Sequence, residues 1–426
     1  MMRKAAALAA VIAAVIVISA ASGAAVSADA KKTPFTWRGK EVTEFPYSVK
    51  QYPKEMKVTA DGKDILRGET FPGVTYSKGR ITLNNAHIDD KLYIKLTGSG
   101  YAPEIVLIGD NYAEELTVNP SGFSKVSVSG SGTLEVKSIK FVPDTSYRTM
   151  LTIKENARVT VSEDRENVTK LREAINASCI SVRENGFLEC SFLSGEELCL
   201  TDNAEVKTVH CETSSIFLSG SSVMEVESDY EKYPKLEVDY ALNRGMYYIE
   251  TITIEDDARL TQVSNTGAYG IFCYGNYHGK ITVSDNGTLD VSGSSYYGVS
   301  LGDCAFGSFE MNGNSRVRIT GFTTALLARR IDINGGTLEI DSNGNAIQVY
   351  PRSAVSPYSS FEPGFYVNGE TVSVSADGEE KPLDYGWQIL DTDPDNYHFC
   401  VIYNDKGDRE LEDFSITVRE KVEHGK

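Results

Sequence analysis

The sequence predicts an all-β protein, a right-handed parallel β-helix of about ten coils with a cap at each end. Three observations carry that expectation. A strand–turn–strand motif recurs ten times, the copies lie at uneven spacing, and no long amphipathic helical pattern interrupts them. An antiparallel sandwich would not repeat the same turn chemistry at the same offset so often. A left-handed hexapeptide helix would demand tighter spacing.

In chain order, residues 1–30 read as a secretory signal peptide. Arg3 and Lys4 precede an Ala/Val/Ile run, and Val26-Ser-Ala-Asp-Ala30 supplies small residues for cleavage. No Cys marks the cleavage point, which argues against a lipid anchor. Residues 31–75 are expected to cap the coil, because an open coil end invites strand addition.

The β-helix is placed at 76–352. Its motif is apolar-x-apolar, one residue, a small polar pair, Gly or Ala, one residue, then apolar-x-apolar. Full copies start at Val126, Leu151, Ile180, Leu198, Ile252, Ile281 and Phe309, and one-residue-shorter variants start at Ile81, Ile216 and Ile331. Period-2 alternation on each side gives two short strands, and the Asn/Asp/Gly-rich centre gives a turn whose Asn and Gly tolerate left-handed backbone. From Ile252 onward a third strand follows each pair: 270–272, 298–301, 325–327 and 346–349.

Three strands per unit imply a coil, and the ~4.8 Å strand spacing then gives a rod about 50 Å long. Copy starts from Val126 are 18 to 36 residues apart. The widest gap has room for a degenerate coil near Leu236-Glu-Val238. Val168 to Ile175 reads as a short helical insertion. Residues 353–426 form a C-terminal cap or a small β module, with strands at Phe365-Tyr-Val and Phe414-Ser-Ile-Thr-Val418.

Composition bounds the partners. With 60 Asp+Glu against 42 Lys+Arg the formal charge is −18, and losing Arg3, Lys4 and Asp29 with the leader makes it one unit more negative. Such a chain repels phosphate backbones and anionic lipid, so nucleic acid and inner-leaflet membrane surfaces are poor partners, and divalent cations or neutral polymers fit the charge better. No second apolar run of about 18 residues follows the leader, so a soluble, secreted or surface-associated monomer is expected. Seven cysteines at irregular spacing fit buried free thiols better than a disulfide framework.

The segments Ile81-Thr-Leu-Asn-Asn-Ala-His-Ile88, Ile105-Val-Leu-Ile-Gly-Asp-Asn111 and Val126-Ser-Val-Ser-Gly-Ser-Gly-Thr-Leu-Glu-Val136 occur in that order. Over residues 80–350 the chain resembles the secreted β-helical "carbohydrate-binding domain-containing" proteins of clostridia and their gut relatives. That resemblance implies a pectate-lyase-like fold and binding of plant cell-wall polysaccharide, with calcium in some members. It carries no binding residue over to this chain.

The residues themselves offer four candidates. Glu155, Glu184, Asp202, Asp256 and Asp285 occupy one position of the turn. Stacked about 5 Å apart they would repel, and calcium bridging two of them would relieve it; a solvated acidic rim is the plainer alternative. Beside them Asn156, Asn185, Asn203, Asp257, Asn286 and Asn314 suit coil-to-coil hydrogen bonds, a structural role. Tyr269, Tyr274, Tyr277, Tyr296 and Tyr297 cluster on adjacent coils, with Tyr269 expected near Tyr297, and a row of flat rings with hydroxyls suits sugar faces.

Asp391-Thr-Asp-Pro-Asp395-Asn396 opens like an EF-hand loop. It has no Gly at the sixth place, and Ile402 stands at the twelfth where Glu is needed. An acidic surface turn is favoured. No G-x-S-x-G, H-E-x-x-H or phosphate loop occurs.

The preferred expectation is a non-catalytic, secreted protein that binds polysaccharide along one face. The first alternative is a pectate-lyase-like lyase or hydrolase using the acidic column, with Arg158, Arg183, Arg259 and Lys280 close by. The second is a surface adhesin or structural protein.

Overall fold

The computed structural model describes residues 35–37, 40–42, 56–96, 102–119, 124–142, 149–162, 174–228, 244–246, 249–264, 269–273, 279–301, 307–349, 364–376, 379–380, 388–393, 398–402 and 413–419. The chain divides into two units, 1–50 and 51–426. In the first, Phe35–Trp37 and Lys40–Val42 pair antiparallel. In the second the described residues are all-β, and the one helical element among them is a single 3-10 turn, Ile65–Arg67.

Long parallel ladders dominate this unit, an arrangement compatible with a β-helix. The first ladder starts at Arg80–Asn84 and Glu104–Ile108 and continues through Ser124–Gly130, Thr149–Ile153 and Cys179–Val182. It then runs through 197–200, 215–218, Thr251–Ile254, Lys280–Val283, Ser308–Met311 and Arg330–Ile333 to Gly364–Val367. A second ladder carries the other half of each motif, from 133–136 through Arg158–Val161 and 187–190 to Gly336–Asp341. The third contains Tyr269–Phe272, Tyr297–Ser300, Thr324–Ala328 and Asn345–Val349.

Alternation explains why the strands stack in register. In the first ladder Ile105, Val128, Ile153, Val182, Leu200, Leu218, Ile254, Val283, Met311 and Ile333 fall at successive partner positions, and all are fully buried. A one-residue slip would turn that whole column to water, so the register is strongly fixed. The intervening residues face outward and are mostly polar.

Several expectations are corrected by the pairing. Residues 215–218 bond directly to Thr251–Ile254, so no coil lies between them and the widest gap is an insertion after Val223–Ser228. Leu236 to Val238 lie outside the described residues. The copy at Ile216 is full length, because Met224 is the buried partner of Val206 and Leu260. Of the expected helix, 168–173 lie outside the described residues, whereas Ile175–Asn176 is a strand of the third ladder.

The third ladder also begins well before Ile252. Residues 138–141 pair with 115–118, and 192–195 pair with 210–213 inside two uninterrupted strands, Phe187–Leu200 and Glu205–Leu218.

Antiparallel strands close the ladders. At one end Met56–Ala60 lies on 92–96 and Val74–Ser77 on Arg80–Leu83; at the other Asp413–Arg419 lies on Gly336–Asp341. Gly364–Val367, expected in the C-terminal cap, instead extends the first parallel ladder. Cys179, Cys190, Cys199, Cys211 and Cys273 are buried free thiols. Burial pushes Cys199 and Cys211 up to about 12, which leaves them inert as nucleophiles.

Candidate functional site

The turn between the first and second ladders is itself stacked. The N–H of Asn185 donates to Glu155 O (2.9 Å), that of Asn203 to Glu184 O (2.7 Å) and that of Asn286 to Asp256 O (2.9 Å). Left-handed backbone is needed here, and the acid supplies it. Glu155, Glu184, Asp202, Asp256 and Asp285 have φ of 62°, 61°, 63°, 56° and 56°. The expectation that Asn and Gly would hold this conformation is met at Asn85, Gly130, Gly220 and Gly313, with φ of 49°, 101°, 67° and 63°, but not in the five acidic copies, where Asn156, Asn185, Asn203, Asp257 and Asn286 come one place later. A non-glycine residue in this region costs about 1–2 kcal/mol, so something must offset it.

The carboxylates provide the offset. Gly130 N donates to Glu155 Oε2 at 2.8 Å, Glu155 N to Glu184 Oε2 at 2.9 Å, and Glu184 N to Asp202 Oδ2 at 3.1 Å. Gly220 N donates to Asp256 Oδ2 at 2.9 Å, and Asp256 N reaches Asp285 Oδ2 at 3.5 Å. Each acid thus caps the turn before it, and charge-assisted bonds of this kind are the stronger ones. Glycine at 220 and 313 interrupts the column. A Cβ on Gly220 would meet Asp202 backbone atoms at 2.8–2.9 Å.

The amide column behaves as expected. Asn185 Nδ2 donates to Asn156 Oδ1 (3.1 Å), Asn203 Nδ2 to Asn185 Oδ1 (3.1 Å) and Asn286 Nδ2 to Asp257 Oδ1 (2.9 Å). Asn314 Nδ2 reaches Asn286 Oδ1 at 3.5 Å. A parallel row missed in the sequence links Asn312, Asn334 and Asn368 at 2.7 and 2.8 Å.

For a metal, each turn acid already spends one oxygen on a backbone N–H. Among the described residues no group of three or more His, Cys, Asp or Glu is placed to hold an ion. The nearby cations serve other partners. Arg259 pairs with Asp290 at 2.6 Å and Lys280 with Glu310 at 2.7 Å, while the Arg158 guanidinium lies 3.7 Å over the Phe187 ring. Glu255 stands apart: burial first, then the charges of Asp256 and Asp285, push its carboxyl up to about 7. Of the EF-hand-like segment, Asp391 to Asp393 belong to the strand Gln388–Asp393, and 394–397 lie outside the described residues.

The tyrosines divide. Tyr269 and Tyr297 are register partners in the third ladder, and their rings stack at 5.2 Å with 14° between planes. Tyr269 also packs on Phe272, centroids 4.5 Å apart. A stacked pair hides one face of each ring, so it offers edges and hydroxyls to an outside ligand more than faces. Tyr296 is different: it is 68% exposed, the most exposed large apolar side chain among the described residues. Tyr274 and Tyr277 lie outside the described residues.

Support for this surface comes from a feature the sequence reading missed. Gly270 and Gly298 directly follow Tyr269 and Tyr297, and a Cβ on either would meet the buried Phe322 ring, at 3.3 and 2.8 Å. A Cβ on Gly293 would meet the same ring at 2.9 Å. One phenylalanine therefore fills the space three glycines leave empty and seats both tyrosine-bearing strands. The repeated Tyr-Gly pair was the available signal.

Against these features, no family model matches the chain, and none of the curated proteins or solved structures matches it.

Proposed function

We propose that the chain is a secreted, right-handed parallel β-helix of about ten coils. It binds a neutral polysaccharide along the surface that displays Tyr296 beside the Tyr269–Tyr297 stack, without catalysis. The resemblance to β-helical carbohydrate-binding proteins belongs to the same proposal. The observation that carries it is the exposure of Tyr296 next to a pre-stacked pair. The exposed Tyr296 ring keeps an apolar face with a polar tip, which suits a sugar ring, and the stacked pair beside it adds edges and hydroxyls already held in place. The acidic net charge agrees with a neutral polymer.

The test incubates the protein with insoluble cellulose, pectin and xylan, with calcium or with chelator, and assays both retention and new unsaturated ends. Retention without product is expected, weakened about tenfold by Tyr296→Ala. Product formation would replace this reading with a lyase and direct mutation to the acidic turn column. No retention on any polymer would turn the search to a protein partner. Loss of retention in chelator alone would assign calcium a part.

A further inference from the structure

Three neighbouring strands of the first ladder, Ser124–Gly130, Thr149–Ile153 and Cys179–Val182, put Val126, Val128, Leu151, Ile153, Ile180 and Val182 into the core. Their alternate residues therefore point away from that core in a three-by-three block, of which Ser127, Ser129, Met150, Thr152 and Cys179 are themselves buried. Its rows are Lys125, Ser127, Ser129; Met150, Thr152, Lys154; and Cys179, Ser181, Arg183. The backbone bonds Lys154 N to Val128 O and Arg183 N to Ile153 O, both 3.0 Å, extend the register to the last column. Thr152 is the centre of this block, and Lys125 and Arg183 are its opposite corners.

The block contains three cations and no acid. Thr152 is 1% exposed and its hydroxyl has no hydrogen-bond partner; the Nε of Arg183 is also buried without one. Lys125 is half-buried, with no ion-pair partner among the described residues. Burial, followed by the charges of Arg183 and Lys154, holds its ammonium below the usual lysine range. Lys154 alone is partnered, by Glu104 at 2.9 Å from the preceding strand, which also accepts from Ser129 Oγ at 3.1 Å, and by Glu155 at 3.8 Å. On the far side Glu197 lies against Cys179, at 3.7 Å from its sulfur.

Unpaired cations and orphaned donors at one buried spot are costly unless something accepts from them. We propose that this block binds a single oxyanion group, a carboxylate or a sulfate or phosphate, received by the Thr152 hydroxyl and the Arg183 Nε–H and balanced by Lys125. The chain's negative charge repels polyanions at long range, so the ligand is one anionic group on a small or otherwise neutral molecule. The site is separate from the tyrosine surface, which lies on the third ladder.

The test titrates the full chain calorimetrically with sodium sulfate, sodium phosphate and sodium galacturonate, each against sodium chloride at equal ionic strength. Saturable one-site binding of at least one probe above the chloride control is expected. It should weaken about tenfold or more in Thr152→Val and in Lys125→Met, and persist in Thr152→Ser and Tyr296→Ala. Sulfate or phosphate alone would name a tetrahedral oxyanion, and galacturonate would name a sugar carboxylate. The proposal falls if no probe binds above chloride, or if Thr152→Val and Lys125→Met bind as the parent does.

Discussion

At the scale of single residues, the turn acids combine two roles that sequence rules assign to different amino acids. Asn and Gly are the usual occupants of left-handed backbone and hold it at Asn85, Gly130, Gly220 and Gly313, whereas in the five acidic turns one carboxylate residue both adopts it and accepts the N–H of the turn before it. That tertiary contact outweighs local preference, which is why composition pointed one place too far along the acidic turns. Glu255, just before Asp256, carries a titration that stability should reveal. An unfolded glutamate ionises near 4.5, whereas the folded one holds its proton to about 7. Between those values the folded state binds more protons, so stability falls as pH rises through the window and levels off above it. Glu255→Gln should therefore be more stable than the parent at pH 8 and nearly equal to it at pH 4. Denaturant midpoints at the two pH values give the comparison, and parallel pH responses would reject the assignment.

At the scale of elements, what sequence could show was whatever repeats with period two. The strands flanking each acidic turn were legible because one face is buried without exception, as in Ile252, Ile254 and Leu260. The third ladder before Ile252 was not, because Phe187–Leu200 and Glu205–Leu218 run on through their corners as continuous strands, with Gly195 the one Gly or Pro in either. Spacing also misled at Ile216, where Val223 mimics the apolar position that Met224 holds. The expected neighbours Tyr269 and Tyr297 do meet, yet only the exposure of Tyr296 separates a free ring from a stacked one. Their seat is Phe322, and Phe322→Ala should cost about 3–5 kcal/mol by emptying the space beneath three glycines. Chemical denaturation measures the loss, and near-ultraviolet circular dichroism should report altered tyrosine packing in the same variant. A loss below about 1 kcal/mol would mean the strands are held elsewhere.

At the scale of the whole molecule, long parallel ladders raise the question of their ends. Asp413–Arg419 covers the backbone edge of Gly336–Asp341 by antiparallel pairing across six residue pairs. Truncation before Asp413 should leave that edge open and promote association through added strands. Light scattering of the truncated chain should show concentration-dependent oligomers that the full chain lacks; a monodisperse truncation product would mean the edge is protected by other means. Of the acidic surplus, many carboxylates are tied into backbone or ion-pair contacts along the outer faces, as in Lys137–Glu114 at 2.8 Å and Arg316–Glu339 at 3.0 Å. Pairs this exposed contribute little singly.

The capping bonds of the turn acids all point the same way: the donor belongs to the earlier turn and the acceptor to the later one. A chain cut after any turn that precedes an acidic one would therefore leave that turn's amide without its acceptor. The capping is directional, each acid completing the turn before its own. Gly220 and Gly313 bring no carboxylate to the turns before them, so the column is a set of short linked runs, broken at two places.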